Sequence, residues 1–135
     1  MPVDLVQRFC PTPLAAVLPL NGAVLRVATN DQLVLDRLRA VSAPARNSRQ
    51  ASIMHWRIVV EEGAHGSGDE FVRHAFQHDG LGFIRLSNAS FLAASRQARC
   101  GISFIAANFI KEEGYFIRYF LPALISIIDD MGKEI

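Results

Sequence analysis

The groups with the widest reactive repertoire in this 135-residue sequence are four histidines, two cysteines and three adjacent carboxylate pairs. His74 and His78 stand four apart, a spacing that on a helix would put two imidazoles on one face, as zinc sites use. The residues around them, ending in Asp79-Gly80, read instead as a strand running into a turn. On a strand, positions i and i+4 share a face but lie about 13 Å apart. A zinc–nitrogen bond spans only about 2 Å, so one ion cannot join them and no metal is expected. His78 then belongs to the turn. His74, His55 and Arg57 are the candidates for a polar pocket, and a small enzyme working through His74 and Arg57 is the catalytic hypothesis they carry.

The other groups give less. Cys10 and Cys100 lie ninety positions apart with no CxxC or Cys/His spacing, and are expected as two reduced, partly buried thiols. Glu61-Glu62, Glu112-Glu113 and Asp129-Asp130 are neighbours in sequence, so their side chains diverge and none forms a general acid/base pair. No GxxxxGK[ST] loop occurs, and both lysines, Lys111 and Lys133, lie near the end of the sequence. Gly63-Ala64-His65-Gly66-Ser67-Gly68 lacks a phosphate-reaching lysine and reads as a flexible hairpin loop. There is no GxSxG elbow. No catalytic set and no cofactor are therefore expected.

Two non-reactive features stand out. Trp56, Phe116, Tyr119 and Phe120 are a surplus of large aromatics, core by default and otherwise the surface of a partner contact or of a ligand cavity. Arg37, Arg39, Arg46 and Arg49 cluster in RLRAVSAPARNSRQ; clustered guanidiniums can hold phosphates, and a solvated helix end followed by a polar loop explains them equally well. The net charge of +1 provides no field to steer a nucleic acid, and none is expected as a partner.

The elements that must position these groups follow from periodicity. Val3 to Phe9 alternates and predicts a first strand; Leu14 to Leu20 and Ala23 to Ala28 flank Asn21-Gly22, the dipeptide of a type I′ hairpin. Asn30 or Asp31 caps a helix over Gln32 to Val41, with Leu33, Leu35, Leu38 and Val41 inward and Asp36, Arg37 and Arg39 toward water. Ala43 to Arg49 is a loop. Ser52 to Glu61 alternates as a half-buried antiparallel strand, with Met54, Trp56, Ile58 and Val60 on one face and His55, Arg57 and Glu61 on the other. Further strands are expected at Glu70 to Gln77, Gly82 to Leu86, Ser90 to Ser95 and Ile102 to Phe109. From Glu112 the spacing becomes helical, with Pro122 set to kink the helix or start it and Gly132 to close it.

Together these predict one α+β domain over 1–135: a mainly antiparallel meandering sheet, one short helix after an N-terminal hairpin, and a C-terminal aromatic-rich helix packed on the sheet. Half the residues are apolar and 20% charged, a composition that excludes disorder and needs no disulfide or metal to sustain a core. The apolar run Tyr115 to Ile128 is shorter than the roughly 20 residues of a membrane span and contains Arg118 and Pro122. No basic segment precedes the run Leu14 to Leu20, so no signal peptide and a cytoplasmic location are expected.

The element order resembles the region that precedes the ATP-binding domain in HPr-kinase-like proteins. Three stretches carry the likeness: VLRVATNDQLVLDRLRA (24–40), SNASFLAASRQARCGISF (87–104) and EGYFIRYFLPALISIIDDMG (113–132). The family's P-loop is absent here, so the resemblance implies no kinase or phosphorylase activity. It implies an accessory binding or assembly domain, partnered by a second copy of itself or by a separate nucleotide-binding protein. The late strands and terminal helix are also similar to helix-grip domains of the START and Bet v 1 type, which would imply a small apolar ligand between the sheet and the C-terminal helix. The opening hairpin and single helix fit that family less well.

Overall fold

The computed structural model describes residues 11–20, 22–42, 52–61, 74–87 and 90–132. Seven strands, β1 (Leu14–Leu20), β2 (Ala23–Thr29), β3 (Ser52–Glu61), β4 (His74–His78), β5 (Leu81–Ser87), β6 (Ser90–Ser95) and β7 (Cys100–Ala106), form one sheet. Their order across it is β1-β2-β3-β7-β6-β5-β4. The helices are α1 (Gln32–Val41), α2 (Asn108–Lys111), α3 (Glu113–Tyr115), a π-helical turn (Phe116–Phe120) and α4 (Leu121–Gly132). The fold is α+β, as expected. No helix among the described residues is long and apolar enough to cross a membrane.

Local signals account for the boundaries. The turn between β4 and β5 places Asp79 at φ 50° and Gly80 at φ 79°, the two positive angles of a type I′ turn. Asp31 is the cap of α1: its carboxylate accepts from the Leu33 N–H at 2.9 Å. Asn30 does something else. Its side chain accepts from the Val60 N–H at 2.8 Å and donates to the Val60 carbonyl at 2.9 Å, extending the β2–β3 ladder by one amide.

Several expectations are corrected. The strand expected over Ile102 to Phe109 ends at Ala106, and Phe109 already lies in α2. β3 is not antiparallel to its neighbours: β2 and β7 both run parallel to it. Alternation reports one covered face and is blind to the direction of neighbouring strands. A parallel β2–β3 pair needs a crossover, and α1 lies within it. The chain then reaches the far edge, and β4 to β7 meander back until β7 seats against β3. Arg37 does not face water; it donates to the carbonyls of Ile110 and, at 2.9 Å, Lys111, tying α1 to the end of α2. The expected strand Val3 to Phe9, the glycine-rich loop, Cys10, and Arg46 and Arg49 lie outside the described residues.

Pro122 sits in the first turn of α4, directly after the π-helical turn. Its ring would otherwise meet the carbonyl of Arg118, four residues back, and the wider turn relieves that clash. At the other end, Arg96 donates to the Asp130 carbonyl at 3.0 Å, a positive charge where the helix dipole is negative.

The described helices all cover one face of the sheet. α1 lies under β1 and β2, and α4 under β5 and β6. Leu25, Val27, Trp56, Ile58, Leu92 and Ile105 point into this layer and meet Phe109, Phe120 and Leu124, all fully buried. The Trp56 indole lies flat over Gly101 of β7, its register partner, and donates to the buried Ser103 hydroxyl at 2.8 Å.

Candidate functional site

Side chains on a strand alternate between faces, so the residues between those of the core point to the opposite side of the sheet. Strand register sorts them into rows. One row runs Val17, Arg26, His55, Cys100, Ser95, Leu81 from β1 to β5. The next runs Ala28, Arg57, Ile102, Ala93, Phe83 from β2 to β5. A third places Val59, Phe104 and Phe91 side by side. None of the described helices packs over this face.

The size of the side chains shapes the surface. Ala93, Ser95 and Cys100 are small and occupy the middle, while Arg26, His55 and Arg57 rise on one flank and Leu81 and Phe83 on the other. The result is an open groove of about 720 Å³ lined by these residues. That volume falls within the range of small-molecule sites. On the same face Phe83 stacks on Phe91, ring centroids 5.5 Å apart, and Phe91 meets Phe104 at a tilt, 5.3 Å away. Among the described residues, three of the four exposed large apolar side chains, Val17, Ile53 and Leu81, belong to this face. An apolar face of this extent that no described helix covers is the kind of surface on which binding sites are found.

The groove is asymmetric in charge. Two guanidiniums and an imidazole line its β2–β3 side, and no carboxylate lines it among the described residues. Its β7–β5 side is apolar, built from Ile102, Ala93 and Phe83. Such an arrangement can hold a molecule with two unlike ends.

The structure separates the residues singled out from sequence. His55 and Arg57 share the open face of β3 and both line the groove. His74 lies on β4 at the sheet edge, opposite Arg85 on β5, four strand positions from β3. At about 4.8 Å per strand that is roughly 19 Å, so the three do not form one pocket. Trp56, Phe116 and Phe120 are at most 1% exposed and their bulk fills the sheet–helix layer, while Trp56 also borders the groove from beneath, between its neighbours His55 and Arg57. Tyr119 is half-buried beside Phe109 and Tyr115. Cys100 is exposed rather than partly buried, because its position on β7 falls on the open face. The groove itself lies on the side of the sheet away from the C-terminal helix, whereas a helix-grip site would lie between the two. Among the described residues no group of three His, Cys, Asp or Glu side chains is placed to hold a metal.

Sequence reasoning missed Arg26, Phe83, Ala93, Ser95 and Ile102. One signal was present: β5, β6 and β7 carry apolar residues at both alternating sets of positions, more than one covered face requires. No protein-family model, curated protein or solved structure matches this chain.

Proposed function

We propose that this chain is a binding domain, that its working surface is the face of the sheet opposite the described helices, and that its occupant is a small molecule with an apolar body. The observation that carries the reading is the groove of about 720 Å³ sunk into an apolar face that no described helix covers. A concavity of that size buries most of a small ligand, whereas a flat face would favour a macromolecule. The reading agrees with the resemblance to an accessory region without a nucleotide-binding core. It keeps the apolar ligand of the helix-grip alternative and moves it to the other side of the sheet.

The second reading is assembly through the same face, and Val17, Ile53 and Leu81 favour it, because exposed apolar side chains at the margins of a groove are what a second copy would cover. Native mass spectrometry and thermal melts with decan-1-ol separate the two. A monomer stabilised by the alcohol, by about 2.7 kcal/mol at a hundredfold excess over its dissociation constant, supports the small-ligand reading. A dimer that Val17→Glu and Leu81→Glu dissociate supports assembly and overturns it. A monomer indifferent to the alcohol overturns both.

A further inference from the structure

Resting on that reading of the open face, we infer that the groove takes a single unbranched hydrocarbon chain laid across the strands, and that Leu81 limits its length. The dimensions follow from register. As the described residues form it, the groove draws on two adjoining rows, those of His55 and Arg57, and crosses from β2 to β5. Four strand spacings make it about 19 Å long, and two residues along a strand make it about 7 Å wide. A strip of about 130 Å² is small beside the roughly 800 Å² that each side of a stable protein–protein contact covers, so the groove itself fits a slender small molecule.

Side-chain size then selects the shape of that molecule. The low path starts beside His55, runs over Cys100 and Ser95, and ends on Leu81, three strand spacings or about 14 Å away. On β6 the second row is low as well, at Ala93, but on β7 Ile102 rises beside Cys100. The passage over β7 is therefore one side chain wide, which a flexible chain threads and a bulky rigid ring system does not. The Ser95 oxygen accepts from the Ala98 N–H at 3.2 Å, so it is engaged in its own turn and the path is met as a mainly apolar surface. Along such a path each added methylene buries a similar area and raises affinity about fourfold, until the chain meets Leu81. Leu81 is 56% exposed, so it stands up from the sheet as a stop instead of sinking into the core.

The test is calorimetric titration of the full chain with the straight-chain alcohols from hexan-1-ol to dodecan-1-ol and with adamantan-1-ol, a compact cage alcohol. Affinity should climb about fourfold per methylene and level off at decan-1-ol, whose extended length matches the path. Leu81→Ala lowers the stop and should carry the climb on to dodecan-1-ol. Ile102→Ala opens the passage over β7 and should reduce the preference for decan-1-ol over adamantan-1-ol about threefold or more. Cys100 is exposed, so Cys100→Trp should keep the far-UV circular dichroism of the parent while blocking every alcohol. A climb that never levels, or a limit that Leu81→Ala leaves in place, overturns the length limit and leaves the groove reading intact. A preference untouched by Ile102→Ala overturns the single-chain assignment. Binding that survives Cys100→Trp overturns the path. Failure of every alcohol to bind the parent overturns the binding-surface reading itself.

Discussion

Gly101→Ala is the most demanding test of how the sheet is built. Gly101 on β7 is the register partner of Trp56 on the parallel strand β3, and its α-carbon faces the indole. A methyl group there would stand 2.2 Å from Cζ3 of Trp56 and 2.4 Å from two other ring carbons. Real side chains do not approach so closely, so the ring or the strand must move. The ring has no room: Trp56 is 1% exposed, and its Nε1–H is held by the Ser103 hydroxyl at 2.8 Å. Overpacking of this kind costs about 1–3 kcal/mol. Losing the indole hydrogen bond, with both partners buried, adds about 1 kcal/mol. The expected loss is therefore about 2–4 kcal/mol. Urea unfolding measures it, and Trp56 is the sequence's single tryptophan, so its fluorescence reports the packing directly. Shrinking the ring in Gly101→Ala/Trp56→Leu should recover part of the loss, giving a favourable coupling in a double-mutant cycle. A loss under about 0.5 kcal/mol with unchanged emission would refute the close packing of β3 on β7.

Other expectations are simpler. Asp31→Ala removes the cap bond to the Leu33 N–H and should cost about 1 kcal/mol in urea unfolding, with Asp31→Asn nearly neutral. Asn30→Ala deletes both bonds to Val60 and should cost about 1–3 kcal/mol, while speeding amide hydrogen exchange at Val60 more than at Ile58. Arg37→Met should cost about 1–2 kcal/mol, because the guanidinium satisfies the carbonyls of Ile110 and Lys111. Its ion pair with Glu113, at 3.9 Å and with the acid 73% exposed, contributes little, so Glu113→Gln should stay within about 0.5 kcal/mol of the parent.

The elements were largely legible because their causes are short-range. The Leu14–Leu20 and Ala23–Thr29 strands, the span of α1 and the strand Ser90–Ser95 follow from periodicity and from turn or cap residues a few positions away. Alternation in β3 correctly sorted Trp56 from His55 and Arg57. Two of the three residues of the basic flank were therefore visible in the sequence, though grouped with the wrong partner: His74 looks close by chain position and sits at the far sheet edge.

The rest was decided by long-range pairing. That β7 returns to lie beside β3 brings Cys100 to His55 and Ile102 to Arg57, neighbours separated by some 45 positions in the chain. Local propensity carries no information about such a pairing, since a strand's edge offers the same donors and acceptors to any partner. Which face the helices cover is likewise a property of the packed whole. Trp56, Phe116 and Phe120 fill the sheet–helix layer, while Phe83, Phe91 and Phe104 occupy the alternate strand positions and so fall on the other face. Sequence alone determined the pieces and their amphipathic faces; tertiary structure decided the strand order, and through it the groove.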